Sequence, residues 1–155
     1  MSNSILSILG ILGFFLTGLV FNEDPVSIEK SYGRECLALV GYAEARDQGD
    51  IGMAAVMQVV LNRTQDSSGR WPEDICGVVQ QRNQFKALEQ IRYPRSPHTT
   101  PDLEAWDRAH TMADQMIAKT GPSLGSCKSA TNFDLGENKF HLKKICQLGS
   151  HFFYN

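Results

Sequence analysis

Two stretches near the start of this chain carry almost no polarity. "CLALVGYA" (36–43) has no charge, and "IGMAAVMQVVL" (51–61) has Gln58 as its only strongly polar residue. Tyr32, Cys36, Leu39/Val40 and Ala43 recur at helical spacing and predict one helix. Residues 51–62 predict a second, with Asp50 as its N-cap. Both are apolar on most faces, which predicts that both lie in the core. A polar loop (65–70) follows. "WPEDICGVVQ" then predicts a short helix with Pro72 in its first turn. "QRNQFKALEQIRYPRSPH" has two prolines and no sustained period, and reads as an irregular, exposed segment. "TTPDLEAWDRAHTMADQMIAKTG" is the clearest amphipathic helix. Thr100 caps it, Pro101 opens it and Gly121-Pro122 stops it. Trp106, Ala109, Ala113, Met116 and Ile117 form its apolar face, and Trp71 joins Trp106 as a core residue. In the tail, "SATNF", "KFHL" and "SHFFYN" read as short strands or extended loops. The sum is a mainly helical α+β domain.

Residues 2–22 contain no ionisable side chain, and roughly 20 apolar residues span a bilayer. The segment lacks the basic start and small-residue cleavage site of a signal peptide. The expectation is an uncleaved transmembrane anchor (1–24), N-terminus inside, then a linker (25–31) and a domain (32–155) held outside. A cleaved secretion signal is the alternative. The 155 residues fit one further domain, and a formal net charge of -2 excludes a bulk basic field for nucleic acid. Four cysteines in a small exported chain suggest two disulfides, with three possible pairings. Cys36–Cys76 and Cys127–Cys146 are expected. The first two sit on apolar core segments, and the second two bracket the tail. The competing arrangement is a metal site from His141, Cys146 and His151, but no CxxC pair supports it, and neither metal nor cofactor is called for.

Between the two apolar stretches lie Glu44, Arg46, Asp47 and Asp50. Glu44 falls one helical turn beyond Val40, at the edge of the apolar stripe and near a helix C-terminus. Partial burial and the negative end of the helix dipole both disfavour its charged form. A carboxylic acid that keeps its proton near neutrality is what glycosidic cleavage needs, because the leaving oxygen must be protonated. Asp47, Asp50 and Asp134 are candidates for a second carboxylate. The plainer alternative is a solvated or ion-paired helix-end residue, with Arg46 and Arg63 as available partners and Asp50 as a cap.

"CLALVGYAEARDQGDIGMAAVMQVVLNR" resembles the start of the cell-wall hydrolase family typified by the spore cortex-lytic enzyme SleB. "WPEDICGVVQQRNQF", "SATNF" and "LGSHFFY" resemble three later blocks of that family, in the same order, so the resemblance covers most of residues 36–154. It implies a lysozyme-like α+β fold acting on peptidoglycan glycan strands. The family's catalytic acid falls on Glu44, and its second glutamate falls on Gln48, which cannot ionise. A lytic transglycosylase needs only one acid/base, because the sugar's own 6-hydroxyl closes onto the anomeric carbon. The departure at Gln48 therefore favours transglycosylation over hydrolysis by a water that Asp47 or Asp134 assists. Gln48, Gln84, Phe85, Asn132 and His151 are the candidates for lining the groove, Gln84 and Phe85 toward a sugar amide and ring face. Tyr42 points away from Glu44 and reads as core.

The expected protein is a monomeric peptidoglycan glycosidase, anchored in the bacterial inner membrane through residues 2–22 and working on the periplasmic or wall side. This arrangement resembles a phage signal-anchor-release endolysin. A non-catalytic wall-binding or membrane-anchored structural protein is one rival. A stem-peptide amidase is another, although no HExxH occurs and the four histidines are scattered.

Overall fold

The computed structural model describes residues 25–90, 100–136 and 142–155. In chain order the elements are α1 (Pro25–Ala45), α2 (Gly49–Thr64), α3 (Ile75–Gln80), α4 (Lys86–Gln90) and α5 (Thr100–Ile117). A 3₁₀ turn (Gly125–Ser129) and strands β1 (Asn132–Asp134), β2 (Lys144–Leu148) and β3 (His151–Tyr154) complete it. This is the mainly helical α+β architecture that the patterning predicts.

α1 and α2 form the centre, and α3 and α5 pack against them. Leu37, Ala38, Val40 and Ala45 of α1 are fully buried, as are Ala54–Met57, Val59 and Val60 of α2. The expected linker residues 25–31 are the first turns of α1. Proline is well placed at a helix start, where its missing N–H costs nothing. α2 begins two residues earlier than expected. Asp50 lies in its first turn and faces Arg108 at 3.8 Å instead of capping the helix. The chain reverses in only three residues, with the Gln48 N–H donating to the Ala45 carbonyl at 3.0 Å. Gly49 makes this possible by taking φ +67°, a region costly for other residues.

α3 starts after Pro72, not on it. Asp74 is its N-cap and accepts the Gly77 N–H at 2.7 Å. α5 buries Ala105, Ala109, Met112, Ala113 and Met116. Ile117 is exposed, contrary to the expected face, because it lies in the last turn where the helix leaves the core. Trp106 is partly buried, edge-on to Tyr42 at 5.3 Å, and Tyr42 is in the core as expected. Trp71 is also only partly buried, with the guanidinium groups of Arg63 and Arg70 each near its ring.

Both expected disulfides are present. Cys36–Cys76 ties α1 to α3, and Cys127–Cys146 ties the 3₁₀ turn to β2. An oxidised Cys146 offers no thiolate to a metal, which removes the His141, Cys146, His151 arrangement; His141 itself lies outside the described residues. The sheet has the order β1-β3-β2 and is antiparallel throughout. The first and last strands arise from "SATNF" and "SHFFYN". β2 arises from "KICQL", and most of "KFHL" lies outside the described residues. Asn62, at the end of α2, fixes the approach to β1 by donating to the carbonyls of Lys128 (2.8 Å) and Ala130 (2.6 Å).

No helix among the described residues is long and apolar enough to cross a membrane. The expected anchor, residues 2–22, lies outside them.

Candidate active site

Glu44 sits in the last turn of α1, half-buried, with its side chain toward the start of α4. Its Oε1 accepts the backbone N–H of Ala87 at 2.9 Å. Burial raises its pKa above the ordinary carboxylate value, and the N–H groups of Ala87 and Leu88 pull the other way without cancelling that effect. Among the described residues no ion pair includes it. The two arginines available as partners are engaged elsewhere. Arg46 lies over the Tyr42 ring at 5.3 Å, and Arg63 donates to acceptors on other segments. Glu44 is therefore not the ion-paired helix-end residue that the plainer reading describes.

The structure gives Gln48 a structural task. Its Oε1 accepts both the backbone N–H and the hydroxyl of Ser150, each at 2.9 Å. This latches the turn between β2 and β3 onto the turn between α1 and α2. Gly149, at φ +56°, lies so close to that Oε1 that a Cβ there would collide with it. A carboxylate would accept the same two hydrogen bonds, so the amide preserves the latch while lacking a titratable proton. Asp47 is exposed, and the Asp134 Oδ1 accepts the Leu135 N–H at 2.7 Å. Neither is hydrogen-bonded to Glu44. Both act electrostatically on His151, whose pKa is lowered by burial and partly restored by these two carboxylates.

Phe85 and His151 are each 2% exposed, so the ring face of Phe85 expected to meet a sugar is buried, and His151 lies beneath the surface it was expected to line. Phe85 lies 6.2 Å from Phe133, and Phe133 stands edge-on to His151 at 5.3 Å. This aromatic row runs from the residue just before α4 through β1 to β3. The segment expected to be irregular contains α4 because Phe85 is drawn into the core at its first end.

Arg63 is the residue that sequence reasoning undervalued. It is 4% exposed, and burial lowers its pKa to about 10. Its Nε donates to the Thr131 carbonyl (2.8 Å), its Nη1 to Gln84 Oε1 (3.2 Å), and its Nη2 reaches Asn132 Oδ1 (3.5 Å). Its guanidinium lies 5.2 Å from the Trp71 ring and 5.3 Å from the Phe85 ring. The signal in the sequence was an arginine ending an otherwise apolar helix, on the side where the tail returns. Gln84 is exposed and Asn132 half-buried, so these two remain available at a surface. A cavity of about 640 Å³ between α2 and the loop after α5, lined in part by Gln58, Met116 and Lys128, includes none of the candidate residues.

Chemically, the site offers a half-buried carboxyl whose pKa is raised by burial, with backbone N–H donors beside it. A carboxyl so placed has the features general acid and base work asks for.

The cell wall hydrolase family model matches residues 47–154, starting three residues beyond Glu44. No curated protein matches the chain. Among solved structures, the chain is similar to the catalytic domain of the germination-specific lytic transglycosylase SleB from Bacillus anthracis. The TM-score is 0.62 at 21% identity, over 79% of this chain and 93% of that one. It is equally similar to the catalytic domain of Bacillus cereus SleB, with a TM-score of 0.62 at 21% identity over 81% of this chain and 91% of that one.

Proposed function

The chain belongs to the cell wall hydrolase family, and from that membership we propose that it cleaves the glycan strands of peptidoglycan with Glu44 as its one general acid and base. The observation that carries this is the half-buried carboxyl of Glu44, raised in pKa by burial and held, among the described residues, by backbone donors. Protonated Glu44 gives its proton to the glycosidic oxygen as the bond from that oxygen to the anomeric carbon breaks. The positive charge that develops on the sugar ring faces the new carboxylate. The 6-hydroxyl of the same sugar then attacks the anomeric carbon, and Glu44 takes the hydroxyl proton. The product is a 1,6-anhydro sugar, and Glu44 ends protonated, ready for the next strand.

Two observations favour this closure over hydrolysis by a water. The position where the family carries a second glutamate is a latch to Ser150, with no ionisable group. Asp47 is exposed and Asp134 accepts the Leu135 N–H, and among the described residues neither is hydrogen-bonded to Glu44. The similar Bacillus anthracis domain comes from a lytic transglycosylase, which agrees with the proposal. Mass spectra of digested peptidoglycan test it. Anhydro-sugar ends are expected. Reducing ends would replace transglycosylation with hydrolysis, free stem peptides would mean an amidase, and an intact sacculus would mean a binding protein.

We also propose that the domain works outside the cytoplasm, anchored through residues 2–22, as in a phage lysin of the signal-anchor-release type. Two disulfides in a domain of this size belong to an oxidising compartment. Protease added to spheroplasts, with the outer envelope opened and the inner membrane intact, should remove the domain and spare cytoplasmic markers. Full protection of the domain until the inner membrane is broken would rule the anchor out.

A further inference from the structure

Arg63 is a buried cation whose three acceptors among the described residues are all neutral: the Thr131 carbonyl, Gln84 Oε1 and Asn132 Oδ1. Burying a charge without an opposite charge is unfavourable, and a purely structural bridge at this place would be served as well by an uncharged side chain. What a guanidinium does that an uncharged group does not is impose direction. It carries five N–H donors and no acceptor. An amide side chain beside it must therefore turn its oxygen inward and its NH2 outward.

Gln84 is in that position. Its oxygen is held by Arg63, its side chain is exposed, and its NH2 faces away from the guanidinium. It precedes by three residues Ala87, whose N–H holds Glu44. Three residues span at most about 11 Å, which keeps the Gln84 backbone near the segment that holds Glu44. A fixed donor discriminates in a way that a hydroxyl does not. It accepts a carbonyl oxygen, and it opposes an ammonium group, which brings three donors and a positive charge toward Arg63.

Resting on the glycosidase reading above, we propose that Gln84 reads the 2-acetamido carbonyl of the sugar bound beside Glu44, and that Arg63 is the positioning residue that fixes Gln84 as a donor. The protein then prefers N-acetylated glycan strands and discriminates against strands whose amino sugars have lost the acetyl group.

The test compares N-acetylated and de-N-acetylated soluble glycan strands, by kinetics with the wild type and by direct binding to the Glu44→Gln variant. Gln84→Glu is the informative substitution. It keeps an acceptor for Arg63 and removes both amide N–H groups. KM for N-acetylated strands should rise about tenfold with kcat little changed, the size expected for one lost hydrogen bond in a partly desolvated site. The preference for N-acetylated over de-N-acetylated strands should vanish or reverse. The melting temperature should rise, because Arg63 gains a counter-charge. Arg63→Lys should weaken the preference through Gln84 without reversing it. Wild-type KM and wild-type preference in a folded Gln84→Glu protein would overturn the inference. The two readings fail separately. If Glu44→Gln still cleaves, the acid assignment falls while the preference remains measurable by binding. If Glu44→Gln is inactive and Gln84→Glu keeps the preference, only the present inference falls.

Discussion

Glu44 stands between opposed influences. Burial favours its neutral form, and the N–H groups of Ala87 and Leu88 favour its anion. Burial prevails, so the folded protein holds this proton more tightly than the unfolded chain does. The sign of the consequence follows from linkage. Glu44 stabilises the fold fully below its ordinary value of 4.5, and that contribution is lost as pH rises through the raised folded value. Glu44→Gln removes the charge that burial penalises at neutral pH. Thermal melts should therefore show Glu44→Gln more stable than the wild type at pH 7, with the gap closing below about pH 4. A variant less stable than the wild type at pH 7 would mean that the carboxylate is a structural anion. The same residue shows what was legible in the sequence. Its place at the edge of an apolar stripe was visible, and so was its likeness to a family acid. The Ala87 hydrogen bond was not, because it joins positions 43 residues apart. Gln48 was legible only as a departure from a pattern; its reason, the Ser150 latch, spans 102 residues.

At the scale of elements, the residues whose periodicity extends over several turns were the readable ones. α2 and α5 carry their burial in their own spacing, and their bounds differ from expectation by a residue or two at the ends. α4 has only five residues, "KALEQ", and no period of its own. It exists because Phe85 enters the core before it and Glu44 accepts an N–H from its first turn. A helix this short draws little stability from its own hydrogen bonds. The opening turns of α1 read as a linker for the converse reason, since a helix start marked by Pro25 has no apolar periodicity until Tyr32. The strands were legible as extended segments. Their order was not, because β3, the last in sequence, lies between the other two. The disulfide pairing was legible because the cysteines divide between the core helices and the tail, and the contacts follow that division.

For the whole molecule, the design places one acid at the junction of three parts. α1 carries Glu44, α4 receives its anion through backbone donors, and the sheet supports α4 through the row Phe85, Phe133 and His151. Arg63 ties together α2, the loop before α4 and the start of β1. The turns at Gly49 and Gly149 are fastened together by Gln48. On the proposed reading the chemistry rests on the single side chain of Glu44, and that claim can be tested there. The measurement is the rate at which purified wild-type and Glu44→Gln proteins release soluble fragments from peptidoglycan, across pH, with folding checked by thermal melt. General acid and base catalysis contributes about 10²–10⁴-fold. The account predicts a loss of at least that size in a folded Glu44→Gln protein, and a wild-type profile that falls as pH rises through a group above the ordinary carboxylate range. Cleavage by folded Glu44→Gln at the wild-type rate would contradict it.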